Sequence, residues 1–195
     1  MSRVGEAHRA TGETDVRVRV DLDGSGASTI ATGVGFFDHM LTLLARHSLI
    51  DLEVAARGDL ETGSHHTVED VGITLGQALT SALGDRSGIE RYGASLIPMD
   101  ECLVQCALDL SGRPFTAIDV PLPSTVIGGF ETELLSEFLR GLANHAGLTL
   151  HVRLLVPGNA HHAIEGTFKA VARALAVAVA PNPRVTGVPS TKGSL

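Results

Sequence analysis

At 195 residues and a net charge of −7, the chain suits one compact unit or two small fused ones, and is too acidic for a general nucleic-acid surface or a polybasic membrane patch. Hydrophobic residues make up 44% and aromatic residues 4%, with no Trp, so the core must be built from Val, Leu, Ile and Ala. No apolar run approaches a membrane span, and the opening MSRVGEAHRATGET carries no hydrophobic signal region, so a cytoplasmic protein is expected.

Residues 14–23, TDVRVRVDLD, alternate strictly, with Val16, Val18, Val20 and Leu22 on one face of a half-buried strand. A DGSG turn follows, then a short strand near 27–32, a helix over 36–47 and a strand over 49–56. GDLETGS reads as a loop. Over 65–84, Val68, Val71, Leu75, Leu79 and Leu83 recur at helical spacing. Gly72 and Gly76 lower the propensity of that helix and leave room for another backbone. Strands are expected near 101–110 and 114–120, then a PLPSTVIGG loop, a helix over 131–145 and a strand over 148–156. A last helix over 161–180 stops before Pro181 and Pro183, and the tail is irregular. Cys102 and Cys106 share one face of their strand and read as reduced core thiols, not as a disulfide framework.

The order strand, strand, helix, strand, helix occurs twice. LARHSLIDLEV at 44–54 matches LANHAGLTLHV at 142–152, and HHTVE at 65–69 matches HHAIE at 161–165. VDLDG at 20–24 resembles ALDLSG at 107–112. Three landmarks in the same order point to an internal duplication.

Each copy carries a histidine pair near a helix start. Residues four apart share a helix face, so His65 can meet Glu69, and His161 can meet Glu165. The adjacent His66 and His162 point about 100° away, toward a second ion. His39 in FFDHML adds another imidazole. Imidazoles and carboxylates without a thiolate suit Mn, Fe, Co, Ni or Zn. His47 and His145 sit at helix ends, where an imidazole can cap carbonyls.

These motifs resemble the imidazoleglycerol-phosphate dehydratase family of histidine biosynthesis. The resemblance covers nearly the whole chain: RATGET at 9–14, FFDHML at 36–41, HHTVED at 65–70, IPMDE at 97–101, DLSGRP at 109–114, HHAIEGTFKA at 161–170 and VPSTKGSL at 188–195. It implies an α/β fold of α+β type, ribosomal protein S5 domain 2-like, internally duplicated into halves 1–92 and 93–195. Each half would be a four-stranded sheet backed by two helices, and the second would end in a substrate-binding tail.

The activity implied is that of a hydro-lyase. D-erythro-imidazole-glycerol phosphate would lose water to give imidazole-acetol phosphate, by way of a metal-stabilised imidazolate and a diazafulvene-like intermediate. The substrate has no carbonyl to ease the elimination, so its ring must be the electron sink, and Lewis-acidic ions would favour the ring anion. The resemblance implies two Mn²⁺ per active site and a homo-oligomer, a 24-mer built from trimers with sites between subunits. No nucleic-acid or membrane partner is implied. The metal positions map to His39, His65, His66, Glu69, His161, His162 and Glu165, which with Glu13 as the base form the catalytic set. Glu13, Arg91, Arg113, Ser190, Thr191 and Lys192 map to substrate positions; the two guanidinium groups suit a phosphate because their planar fork binds it bidentately. Asp100, with Glu101 beside it, is placed to orient substrate or ligands.

One residue departs from the family pattern. Where members often carry a histidine in the third helix, the chain reads ELLSEFLRGL, and Glu137 stands at that position. The duplication reaches the same residue, since the offset of 98 that aligns LARH with LANH carries His39 onto Glu137. Glu137 is therefore expected as a metal ligand, with a solvated helix carboxylate as the alternative. Metals and basic residues alone would also fit a dinuclear phosphate-ester hydrolase or a metal-binding shell protein.

Overall fold

A computed structural model describes residues 3–193 and 195; Met1 and Ser2 of the first half-repeat and Ser194 of the tail motif lie outside the described residues. In chain order, the first half is β1 (Val4–Ala10), β2 (Thr14–Asp21), β3 (Ser28–Ala31), α1 (Gly35–Ser48), β4 (Asp51–Gly58) and α2 (His65–Leu83). The second is β5 (Tyr92–Met99), β6 (Cys102–Asp109), β7 (Phe115–Asp119), a small hairpin of β8 (Val126–Ile127) and β9 (Phe130–Glu131), α3 (Leu134–Ala146), β10 (Thr149–Val156) and α4 (Ala160–Ala178).

The two sheets have the same topology. Their orders are β1-β2-β4-β3 and β5-β6-β10-β7. In each, a hairpin pairs antiparallel and the last added strand pairs parallel across a helical crossover, β3 with β4 and β7 with β10. The fold is thus the duplicated, mixed α/β arrangement with two four-stranded sheets.

Each four-stranded sheet holds one strand more than the alternation pattern predicts. Strands β1 and β5 are the additions, and both are edge strands with weak inward signal. In β5 the one fully buried residue is Gly93, while Leu96 faces outward. The glycine is there because a helix crosses it: a Cβ on Gly93 would overlap the carbonyl oxygen of Ala174, and one on Gly5 would overlap that of Ala78. A strand whose contact residue is glycine shows no apolar stripe. The third helix starts at Leu134 rather than 131, because Glu131 belongs with Phe130 to β9, which pairs back on β8 in the expected PLPSTVIGG loop.

The helices pack across the repeat, α1 on α4 and α2 on α3, between the inner faces of the sheets. Phe37 meets Phe138 edge-on and Phe138 stacks on Phe168, so residues from both halves build one core. Gly72 and Gly76 let α3 come close; a Cβ at these positions would lie 2.6 Å from the Phe138 carbonyl oxygen and 2.7 Å from that of Leu142. Cys102 and Cys106 are free and buried, and burial pushes the Cys106 thiol up to about 12. Among the described residues no helix is long and apolar enough to cross a membrane.

Candidate active site

Helices α2 and α4 begin with their histidine pairs. Asn159 caps α4 by accepting a hydrogen bond from the His161 backbone N–H at 2.8 Å. Within each pair the rings stand nearly perpendicular, at 80° for His65 and His66 and 79° for His161 and His162. The two imidazoles of a pair therefore serve different surroundings.

The first histidine of each pair meets the carboxylate four residues on. His65 Nε2 lies 3.6 Å from Glu69 and His161 Nε2 3.2 Å from Glu165. His39 joins the second cluster from α1, with Nε2 3.8 Å from Glu165. Asp38 accepts from the backbone and hydroxyl of Thr32, which anchors the first turn of α1 and places His39. Glu165 also receives Lys169 at 2.6 Å. Burial opposes ionisation of Glu165, but Lys169 and then His161 outweigh it and hold its carboxyl below the usual range.

The second histidine of each pair is held from behind. Asp59 accepts from His66 Nδ1 at 3.0 Å, and Glu101 accepts from His162 Nδ1 at 2.9 Å. A carboxylate can only accept, so each Nδ1 carries the proton and each Nε2 presents a lone pair. A second carboxylate faces each Nε2, Glu13 at 3.8 Å from His66 and Asp100 at 3.6 Å from His162. The backbone N–H of Asn159, then His162, pull Glu101 down to about 2. Asp59 raises the pKa of His66, and Glu101 raises that of His162. Donor atoms of Asp100, Glu101 and His162 all lie within 4.8 Å of one another.

This donor set fits a borderline divalent ion. Imidazole nitrogens and carboxylate oxygens converge, and the nearby Cys102 is a buried thiol whose pKa is raised by burial, not an available thiolate. Glu137 pairs with Arg140 at 2.8 Å in its own helix. It lies on the stripe of α3 that faces α2, since a Cβ on Gly141, one turn on, would lie 3.1 Å from the Glu69 carbonyl oxygen.

The basic residues gather elsewhere. Arg91, Tyr92 and Arg113 on one side, and Pro189, Ser190, Thr191 and Lys192 on the other, line a cleft of about 620 Å³. Arg91 donates to both oxygens of Asp109, at 2.7 and 3.0 Å, and to the Pro189 carbonyl at 2.7 Å, so it also fixes the tail. The structure thus gathers Arg91, Arg113, Ser190, Thr191 and Lys192, but it does not bring them to the imidazoles. Arg91 precedes β5 and Asp100 follows it; eight residues of strand separate them by about 26 Å. Along α2, nineteen residues put about 28 Å between its histidine pair and the turn leading to Arg91.

Sequence reasoning missed Asp59, assigned only to a loop, and Lys169. The spacing of four between Glu165 and Lys169 on a helix was a usable signal for the second; nothing local marked the first.

The sequence model of the imidazoleglycerol-phosphate dehydratase family matches residues 32–175. The chain is 56% identical over 195 residues to an imidazoleglycerol-phosphate dehydratase of Desulforamulus reducens, covering 100% of both chains. It is 60% identical over 188 residues to that of Roseobacter denitrificans, covering 96% of each. The solved structure of the Staphylococcus aureus enzyme superposes with a TM-score of 0.83 at 40% identity, covering 92% of this chain and 99% of that one. The chain belongs to the imidazoleglycerol-phosphate dehydratase family.

Proposed function

We propose that the chain dehydrates D-erythro-imidazole-glycerol phosphate to imidazole-acetol phosphate in histidine biosynthesis, at active sites completed between subunits. The observation that carries the shared site is the separation of the imidazole end from the phosphate cleft by the full length of β5 and α2. In the substrate only a three-carbon chain joins ring to phosphate. A phosphate held by Arg91, Arg113 and Lys192 of one subunit therefore presents its ring to the imidazoles of another. Assembly as a 24-mer from trimers, two Mn²⁺ per site and a cytoplasmic location belong to this reading; the imidazole and carboxylate donors, with no thiolate among them, support the ion, and the two free thiols support a reducing compartment.

The residues divide the work by chemistry. His39, His65, Glu69, Glu137, His161 and Glu165, with Nε2 of His66 and His162, would hold the divalent ions. When bound, such ions supply Lewis acidity that favours the anionic form of the substrate ring. Asp59 and Glu101 keep Nδ1 of His66 and His162 protonated and Nε2 free. Comparing substrate with product, hydroxide leaves the carbon attached to the ring and a proton leaves the next carbon, giving an enol that becomes the ketone. Glu13, a carboxylate 58% exposed at a hairpin tip beside His66, is the base for that proton. Arg113, Ser190, Thr191 and Lys192 bind the phosphate, and Arg91 both braces the tail and adds charge.

Subunit complementation tests this reading. Arg113→Ala and His162→Ala proteins are purified separately, then mixed, dissociated and reassembled. Each alone should form little ketone, and the hybrid should regain activity because some sites take both intact halves. Hybrid particles without recovered ketone formation would refute a shared site. Release of inorganic phosphate instead of ketone would favour the hydrolase.

A further inference from the structure

The duplication supplies an internal control for one buried residue. Asp70 follows Glu69 on α2, and its side chain is 8% exposed. One oxygen accepts from Arg9 Nε at 2.8 Å; the other accepts from the Thr14 hydroxyl. Arg9 and Thr14 stand on either side of the β1–β2 turn that carries Glu13. Inside the turn, the Thr11 hydroxyl accepts from the backbone N–H of Glu13 at 3.1 Å and of Thr14 at 3.0 Å. The Asp59 N–H closes the far side by donating to the Glu13 carbonyl at 3.2 Å. Asp70 therefore bolts both legs of the Glu13 hairpin to the helix that carries His65, His66 and Glu69.

A plain structural role would predict the same anion in the other half, where β5, β6 and α4 repeat the arrangement. The offset of 96 that relates the histidine pairs puts Gly166 at the place of Asp70. Gly166 lies against the side chains of Val104 and Met99, and that hairpin is tied to α4 from its exposed tip, where Glu101 accepts from the Asn159 N–H and His162 Nδ1, and by the Ser95 hydroxyl on the Ala170 carbonyl. The fold thus seats a hairpin on this helix without a buried anion. Buried ion pairs are also weak stabilisers, since desolvation offsets most of their attraction. What the first half needs and the second does not is a fixed location for Glu13.

We propose that Asp70 is a positioning residue for proton abstraction, holding the Glu13 hairpin in register with the metal-binding face of α2. The proposal rests on the reading of Glu13 as the base. Asp70→Asn keeps the shape but removes the charge that grips Arg9, and its NH₂ forces the Thr14 hydroxyl to turn from donor to acceptor. A displaced base costs rate and not binding.

The test is a double-mutant cycle of Asp70→Asn with Glu13→Gln, measured by ketone formation at high enzyme concentration. In the otherwise wild-type protein, Asp70→Asn should lower kcat about 10- to 100-fold, with KM, metal content and particle size unchanged. In the Glu13→Gln background it should cost nothing further. Equal losses in both backgrounds, or no loss in the first, overturn the proposal. Near-normal turnover by Glu13→Gln alone sinks the base assignment itself, whereas an impaired Glu13→Gln beside a fully active Asp70→Asn sinks only the positioning role. If Asp70→Asn does not assemble, Thr14→Val, which removes the hydroxyl, and Thr14→Ser, which keeps it, run through the same cycle. Loss in the valine variant with rescue in the serine variant supports the proposal; equal activity of the two overturns it.

Discussion

Replacing Glu101 by Gln should change the tautomer of His162. Glu101 is held between two partners, the Asn159 backbone N–H at 2.6 Å and His162 Nδ1 at 2.9 Å. The backbone group is a fixed donor, so the glutamine oxygen must face it. The amide NH₂ is then left facing Nδ1, which becomes an acceptor, and the ring proton moves to Nε2, where the ion would bind. Loss of such a partner costs about 10- to 100-fold in metal affinity, or roughly 1.4–2.7 kcal/mol. The loss should fall on one class of ion, because Asp59 and His66 are untouched. The pH dependence moves the other way. Glu101 raises the pKa of His162, and metal binding requires the neutral ring. On acidification the wild type therefore starts losing this ion above the ordinary histidine pKa of 6.5. The variant should lose it from a lower pH while binding more weakly at pH 8. In the metal-free protein the same pair stabilises the fold most below the unfolded histidine pKa, and that benefit is lost as pH rises through the folded one. Calorimetric Mn²⁺ titrations between pH 5.5 and 8 measure both effects. Unchanged affinity at pH 8 together with an unchanged acid midpoint would refute the tautomer argument.

If the proposed assembly shares metal ligands between subunits, metal binding and association are linked, so chelation should break the particle into smaller oligomers that Mn²⁺ rebuilds; light scattering that shows an intact particle after complete metal removal contradicts this. Glu137→Ala should lose close to one ion per subunit and Glu137→His should keep both, read by native mass spectrometry; full occupancy in the alanine variant leaves Glu137 as the partner of Arg140 alone. Gly93→Ala should destabilise the chain by about 2–3 kcal/mol, since the new methyl group meets the backbone of α4 at Ala174 and has no flexible side chain to displace. A thermal midpoint within about 2 °C of wild type would show that the helix gives way at little cost.

The parts of the fold that were legible are those with one dry face. Strict alternation marks β2, and three-four spacing marks α2 and α4, because each has an apolar stripe set by its own period. Edge strands β1 and β5 escaped since they meet the helices through glycine, and β8–β9 is too short to show a period. The imidazoles were legible as pairs. Of the carboxylates behind them, Glu101 was marked with Asp100 by the IPMDE motif, but Asp59 was not, because it reaches His66 from a loop with no pattern of its own. Nor could the repeat reveal that α1 of one half packs on α4 of the other, which is what brings His39 to Glu165.

The duplication has diverged in a way that sets the composition of the active site. At the metal end the halves remain alike: each offers a histidine pair, a carboxylate at the fourth position and an acceptor behind Nδ1. At the other end they do not. The offset of 88 that relates Asp21 to Asp109 relates Arg3 to Arg91, and Arg3 still grips an aspartate, Asp23, and a carbonyl, that of Val179 at 2.6 Å. Arg113, however, falls on Ser25, and Ser190, Thr191 and Lys192 come from the tail that follows the second half and line the cleft with Arg91 and Arg113. On the proposed function, each chain therefore brings two sets of metal ligands but, among the described residues, one basic cleft for the phosphate. If every cleft serves one active site, the sites must each draw on both kinds of metal set, one from the first half and one from the second. On the function proposed above, two ions per substrate would follow from the gene duplication itself, and the Glu13 hairpin, tied down by Asp70, would give that otherwise symmetric pair of ions one base and one direction.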